Sequence, residues 1–265
     1  MTEKINALPL SKDKIYSLTK VKNAEIYTLS EIDSTNDEAR RLAFAGVPTP
    51  TLVVANSQTL GRGRMGRSFF SPADTGIYLS YLQKAKEDAA DTVRLTTAAA
   101  VATAEAIDEV CGVKTEIKWV NDLLIDGKKV AGILCESFSL TSGERYVIIG
   151  IGINISTSDF PSDIKDRAAS LGADPKKREC LAAAILDRLE EFYKSPSDER
   201  IIKIYKERSA VLGKRVLLTD SQNTTTALAT DIRNDGALMV TLDSGEVKAL
   251  SSGEITLRFD NGKEI

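Results

Sequence analysis

The residues best suited to chemistry lie in one short stretch, Gly61-Arg62-Gly63-Arg64-Met65-Gly66-Arg67, which holds three glycines and three arginines in seven positions. No Asp or Glu occurs from Ala55 to Ala73. Arginine carries a permanent charge and a forked set of donors that matches carboxylate and phosphate. Glycine lets a backbone take positive φ and approach another group closely. The stretch therefore predicts a mobile cationic loop that closes over an anionic small molecule. Two other readings compete with it. Gly61, Gly63 and Gly66 fit the dinucleotide pattern G-x-G-x-x-G, but that fingerprint needs a strand before it and a helix opening at its third glycine. A strand is expected at 52–56, whereas Ser68-Phe69-Phe70-Ser71-Pro72 has no helical period and ends in proline. The second competitor is a plain solvated basic loop.

Absences narrow the chemistry further. The 265 residues include no histidine. That removes Ser-His-Asp, Cys-His and His-metal mechanisms together. What remains is Lys, Arg, Asp/Glu, backbone donors and a hard, oxygen-bound cation such as Mg²⁺. No G-x-x-x-x-G-K-[ST] phosphate loop is present. A net charge of −3 does not suit a nucleic-acid binder. Three dispersed cysteines, Cys111, Cys135 and Cys180, predict reduced thiols in a cytoplasmic protein, not a disulfide frame. No apolar run approaches the roughly 18 residues of a membrane span, and Met1-Thr2-Glu3-Lys4-Ile5 has no signal-peptide character.

The elements that would position the loop read as an α+β chain with a small all-β unit at its end. A strand is expected at 24–30, followed by a helix opening at Ser34-Thr35-Asn36-Asp37-Glu38, where a hydroxyl or amide caps free N–H groups and the acids favour the positive end. Gly46 ends that helix. A strand at 51–56 leads through Gln58 into the loop, and another follows at 76–82. An Ala-rich helix is predicted over 91–110, capped by Asp91, with Gly112 past its end. The strand at 115–119 breaks at Val120-Asn121-Asp122, resumes over 123–126, turns at Asp126-Gly127 and returns over 129–138. The next strand, 145–154, ends in Gly150-Ile151-Gly152-Ile153-Asn154, whose alternating glycines leave room on one sheet face for a ligand or another backbone. A polar connection at 155–175 and amphipathic helices at 176–194 and 197–212 come next. Short strands then follow at 215–218, 226–232, 237–242, 246–249 and 255–258, a barrel of about 50 residues. Residues 1–22 are expected to lie against the main domain.

Taken together, several motifs resemble a biotin–protein ligase. They are Ser34-Thr35-Asn36, Gln58, the 61–67 loop with Ser68-Phe69-Phe70-Ser71-Pro72, and Lys118-Trp119-Val120-Asn121-Asp122. To these add Gly127-Lys128-Lys129-Val130-Ala131-Gly132-Ile133-Leu134, Ile149–Asn154 and Ser252-Gly253-Glu254-Ile255-Thr256-Leu257-Arg258. The resemblance implies a mixed β-sheet catalytic domain flanked by helices at 1–212 and an SH3-like β-barrel at 213–265. It implies an enzyme that joins biotin to ATP as biotinyl-5′-AMP and moves biotin to a lysine of a biotin carboxyl carrier protein, with Mg²⁺ present and a homodimer left open. Biotin contacts would fall to Ser34, Thr35, Asn36, Gln58, Arg62, Gly63, Arg64 and Lys129, with Gly132, Leu134, Gly150 and Gly152 lining the slot. ATP contacts would fall to Arg62, Arg64, Arg67, Trp119, Asn121, Asp122, Lys129 and Asn154. Arg64, Lys129 and Asp122 would be the catalytic set, with Asp122 also on the metal and orienting the acceptor lysine. Lys128, next to Lys129, reads as a surface lysine.

Two departures stand out. The family usually has proline where Val120 stands, and valine keeps an extended backbone with less rigidity. Only about 22 residues precede the first strand, short of the roughly 50 a domain needs, so the short form without a DNA-binding domain is expected. No tryptophan other than Trp119 exists to stack on adenine. A lipoate–protein ligase shares the adenylation chemistry and is the alternative enzyme. A non-catalytic nucleic-acid binder using Arg62–Arg67 is the alternative from another class.

Overall fold

A computed structural model describes residues 9–85, 92–195, 199–219, 224–251 and 254–257. Helix α1 (Lys12–Leu18) precedes strand β1 (Glu25–Leu29), helix α2 (Thr35–Phe44) and strand β2 (Thr51–Ala55). Strand β3 (Gly76–Lys84), helix α3 (Thr92–Cys111) and strands β4 (Glu116–Lys118), β5 (Asp122–Ile125), β6 (Lys128–Ser139) and β7 (Arg145–Asn154) follow. Helices α4 (Arg178–Lys194) and α5 (Glu199–Glu207) lead to strands β8 (Arg215–Thr219), β9 (Thr224–Ile232), β10 (Leu238–Leu242), β11 (Val247–Leu250) and β12 (Glu254–Leu257).

The first seven strands form one mixed sheet in the order β1-β2-β3-β7-β6-β5-β4. Only β1 and β2 run parallel; every other neighbouring pair is antiparallel. Side chains alternate between the two faces of a strand, and on β7 this separates two jobs. Ile149, Ile151 and Ile153 join the main core with residues of α3 and α4. Tyr146 and Ile148, pointing the other way, pack with Val53, Leu82 and the α2 residues Ala39 and Ala43. Gly150 and Gly152 continue that second face, Gly150 under Asn36 in the first turn of α2 and Gly152 under Phe69. The alanines of α3 at 99, 100, 102, 104 and 106 are fully buried and let the helix sit close to the sheet.

Several expectations shift in the structure. Helix α1 was not anticipated; the Ser11 hydroxyl caps it by accepting from Lys14 N at 3.2 Å, and Ile15 is its one buried residue. Helix α5 ends at Glu207, not at 212, because the chain turns to serve the open edge of β4: Ile117 N donates to Arg208 O at 2.7 Å and Ala210 N to Ile117 O at 2.8 Å. The predicted cap Asp91, residues 197–198, and Ser252, Gly253 and Arg258 of the last motif lie outside the described residues. The C-terminal strands form a five-stranded antiparallel sheet, order β11-β10-β9-β8-β12. Among the described residues its end strands are not paired with each other, so the sheet is open there. Its inner residues, including Val216, Ala227, Ala229 and Val240, merge with the main core. No helix among the described residues is long and apolar enough to cross a membrane.

Candidate active site

The glycines of β6 and β7 make a floor. Gly132 faces Gly152 across the strand pair, and Gly150 lies between Leu134 and Ser80. A Cβ on Gly152 would come within 2.5 Å of the Phe69 ring, and one on Gly150 within 2.1 Å of Asn36 Oδ1. The missing side chains thus admit an aromatic ring and an amide directly onto the sheet. Above the floor an open cleft is bounded by the start of α2, Gln58, the 61–69 loop and Lys129.

One end of the cleft is a fixed polar network. Gln58 Oε1 accepts from Thr35 N at 2.8 Å and from Thr35 Oγ1 at 3.0 Å. Gln58 Nε2 donates to Ser71 Oγ at 3.0 Å. The first N–H groups of a helix have no partner within it, and here a side chain 23 residues away in sequence supplies one. The expected cap from Ser34 is absent: Ser34 occupies the N-cap position but its side chain makes no capping bond. Ser80 Oγ lies 2.8 Å from Thr35 Oγ1 and 2.6 Å from Asn36 Oδ1. Ser34, Thr35 and Asn36 are all nearly buried. Groups held this firmly present a preset pattern of donors and acceptors to a small polar head.

The other end is cationic. The 61–69 loop is a small hairpin in which Phe69 N donates to Gly61 O at 2.8 Å and Gly63 N to Arg67 O at 2.7 Å. Its tip holds only a three-residue 3₁₀ turn, with positive φ at Met65 and Gly66. No helix opens at Gly66, which rules out the dinucleotide reading. Arg64 Nη1 donates to Asn121 Oδ1 at 3.3 Å, and Asn121 is fixed in turn by two bonds to Ile133. Arg62 donates to Asp37 Oδ1 at 2.7 Å and Glu136 Oε1 at 3.1 Å.

Lys129 reaches the cleft through a β-bulge. Leu123 pairs with Ala131 but Leu124 pairs with Lys129, so Val130 is the extra residue. A bulge shifts the phase of a strand, and Lys129 and Gly132, three residues apart, come to share a face. Lys129 Nζ would lie 2.9 Å from a Cβ on Gly132, 2.6 Å from Asp122 Oδ1 and 5.7 Å from the Phe69 ring centre. Lys128 is exposed, as expected for the opposite face.

Ser34, Thr35, Asn36, Gln58, Arg62, Gly63, Arg64, Asn121, Lys129, Gly132, Leu134, Gly150 and Gly152 all line the cleft. Arg67, Trp119, Asp122 and Asn154 do not. Trp119 is 4% exposed and its indole N–H donates to Gly236 O at 2.9 Å, so its ring is committed to the C-terminal sheet. The peptide bond that follows it is cis. Asp122 stands behind Lys129. Asn154 is buried and donates to Ala169 O at 3.0 Å, with its Oδ1 left without a hydrogen-bond partner. Arg67 is exposed at the loop tip. Phe69 and Glu136 were not foreseen. The signal for Phe69 is an aromatic pair, Phe69-Phe70, set inside a cationic segment. For Glu136 there is none beyond its alternation with Gly132 and Leu134.

Burial fixes the protonation of the groups beneath the cleft. Tyr78, edge-on to Phe69, donates to Pro72 O at 2.9 Å, and burial pushes its phenol well above the usual range. Burial also raises Tyr205, followed by the charge of Asp122, and its hydroxyl donates to Val120 O at 3.1 Å. Burial pushes the Cys135 thiol up to about 12. These groups act as neutral scaffolding. Among the described residues no three acidic or thiol groups cluster as a metal site. Asp122 Oδ1 lies 2.6 Å from Lys129 Nζ.

Residues 29–154 match the biotin/lipoate A/B protein ligase family, and residues 211–258 match the biotin protein ligase C-terminal domain. The chain is 35% identical over 247 residues to the bifunctional ligase/repressor BirA of Bacillus subtilis, covering 90% of this chain and 76% of that protein. It is 28% identical to the biotin–[acetyl-CoA-carboxylase] ligase of Mycobacterium tuberculosis, over 87% and 88% of the two chains. The fold is similar to that of the biotin protein ligase of Aquifex aeolicus solved with biotin and ATP, with a TM-score of 0.73 at 30% identity, covering 88% of this chain and 98% of that one.

Proposed function

Because the chain belongs to the biotin protein ligase family, we propose that this cleft is where it activates and transfers biotin. The protein is an ATP-dependent ligase. The biotin carboxylate attacks the α-phosphorus of ATP, forming biotinyl-5′-AMP and releasing pyrophosphate. The amine of an acceptor lysine then attacks the acyl carbon, an amide forms, and AMP leaves.

The observation that carries the residue assignment is the cleft's polarity. Its glycine floor and Phe69 suit an apolar ring, the Thr35–Gln58 pair suits the ureido head, and Arg64 and Lys129 stand at the far end, where a carboxylate meets a triphosphate. A slot that is largely apolar with a few placed polar groups is the usual small-ligand design. Among the described residues Arg64 bonds to a neutral amide, so its charge is available to the phosphate in the transition state. Fixed donors of this kind typically contribute about 3–4 kcal/mol to such a step. Lys129, next to Asp122, steers the biotin carboxylate, and Asp122 orients the incoming lysine. A basic amine needs little beyond desolvation and placement. Mg²⁺ would enter with the triphosphate and would neutralise charge there.

The carrier is a biotin carboxyl carrier protein domain. The five antiparallel strands β8–β12 support assigning 213–265 to an SH3-like domain appended to a catalytic domain at 1–212. Three free cysteines fit a reducing, cytoplasmic setting. Incubation with ATP, biotin and such a carrier should give a streptavidin-shifted product, and a carrier with its acceptor lysine changed to arginine should give none. Labelling that ignores the acceptor lysine, or that uses lipoate equally well, would refute the reading.

A further inference from the structure

We infer that Glu136 is a positioning residue for this reaction: its one carboxylate ties the wall of the biotin slot to the cationic loop and holds that loop closed before substrate arrives. The inference rests on the ligase reading of the cleft. Glu136 Oε2 accepts from Asn36 Nδ2 at 2.8 Å. Its Oε1 accepts from Arg62 Nη2 at 3.1 Å and from Arg40 Nη2 at 3.2 Å. The Glu136 side chain is 18% exposed, so its end of these charge-assisted bonds is screened less than in surface pairs.

Placement follows from the strand. Glu136 is two residues past Leu134 and four past Gly132, so it projects from the same face of β6 as the cleft floor. It meets α2 at Asn36 and Arg40, the helix that carries Thr35. It meets the loop at Arg62, whose other nitrogen is held by Asp37 of the same helix. Strand, helix and loop are thus joined at one carboxylate.

This arrangement gives Arg62 a different job from Arg64. Asp37, together with a Glu136 shared with Arg40, already pairs with the Arg62 guanidinium, which makes it a poor partner for a further anion. It serves as a strut. Arg64, held among the described residues by the amide of Asn121, keeps its charge for the ligand. Loss of the Glu136 charge should therefore loosen the loop without removing the cation that acts on phosphate.

Glu136→Gln keeps the shape of the side chain and removes the charge. The variant should release preformed biotinyl-5′-AMP about tenfold faster in the absence of carrier, the size expected for losing one charge-assisted bond. The KM for biotin should rise while kcat for pyrophosphate exchange changes by less than about threefold. Arg62→Gln should likewise quicken release of the adenylate, and the double variant should release it no faster than the faster single one, since both break one strut. Amide exchange across residues 61–71 in the ligand-free protein should quicken in Glu136→Gln, a readout that needs no activity. Unchanged adenylate retention and unchanged loop exchange would overturn the inference, as would effects that multiply in the double variant. A wild-type protein without biotin-dependent exchange would overturn the ligase reading and this inference with it; normal wild-type exchange with an indifferent Glu136→Gln overturns this inference alone.

Discussion

The indole N–H of Trp119 donates to the main-chain carbonyl of Gly236, 2.9 Å away and 117 residues later in the chain. Gly236 sits in the turn between β9 and β10 with φ of +84°, and a Cβ there would lie 3.0 Å from Thr97 of α3. The turn is clamped between α3 and the segment that carries Asn121 and Asp122. The C-terminal sheet thereby helps to set the position of two site residues it does not itself contain.

Trp119→Phe tests that clamp. It keeps most of the buried ring but leaves the Gly236 carbonyl without its donor, at a cost of about 1–3 kcal/mol. The urea midpoint should fall, and the rate of adenylate formation should fall with it as Asn121 and Asp122 lose their support. A variant with a lowered midpoint and wild-type kinetics under native conditions would show that the contact is structural only.

Arg64→Ala should separate activity from stability. The side chain is half-buried on a glycine-flanked loop and bonds to one amide, so stability should change by no more than about 0.5 kcal/mol. Pyrophosphate exchange should drop on the order of 100-fold, about 3 kcal/mol of transition-state stabilisation. Near-normal exchange would remove Arg64 from the catalytic set.

Lys129→Gln and Lys128→Gln form a matched pair. The first removes the charge 2.6 Å from Asp122 and should weaken biotin and ATP use together, on the order of 100-fold in kcat/KM. The second, on the exposed face, should be nearly silent. Steady-state kinetics and biotin calorimetry on both would show it; equal effects would mean that the bulge at Val130 does not set the phase assigned to it.

How much of this was legible in the sequence differs from residue to residue. The alternating glycines of β7 announced room on one sheet face because strand period is local, though not that Asn36 and Phe69 would come to sit there; Asp126-Gly127 announced its hairpin because both residues take positive φ. The cationic hairpin was legible from composition. The bulge at Val130 was not, since nothing in Lys129-Val130-Ala131-Gly132 reveals a phase shift that only pairing with β5 creates. Gln58 serving the first turn of α2 was equally hidden, because sequence-local rules point to Ser34. The bond from Trp119 to Gly236 was hidden as well, because the two residues are far apart in sequence and only tertiary packing joins them. Helix α1, with one buried residue, was too short for its period to register.

Acid stability offers a further check. Arg41 beside Asp33 holds that carboxyl down, from 3.8 to about 2. A lowered folded-state pKa contributes stability that is present above the unfolded value and lost as pH falls through the folded one. The contribution of this pair should therefore fade between about pH 4 and pH 2. Both partners are more than a third exposed, so solvent screening makes it small. Melting temperatures of wild type and Asp33→Asn should differ above pH 4 and converge toward pH 2, and salt should shrink the gap. A constant difference across that window would contradict the linkage.

Biotin-dependent exchange of labelled pyrophosphate into ATP, with no carrier protein present, tests the central claim most directly. It reports formation and reversal of the acyl-adenylate in the cleft and nothing downstream. The account predicts rapid exchange with biotin, background exchange with lipoate, and loss of the biotin signal in Arg64→Ala. Exchange supported by lipoate as well as by biotin, or no exchange with either from a folded protein, would contradict it.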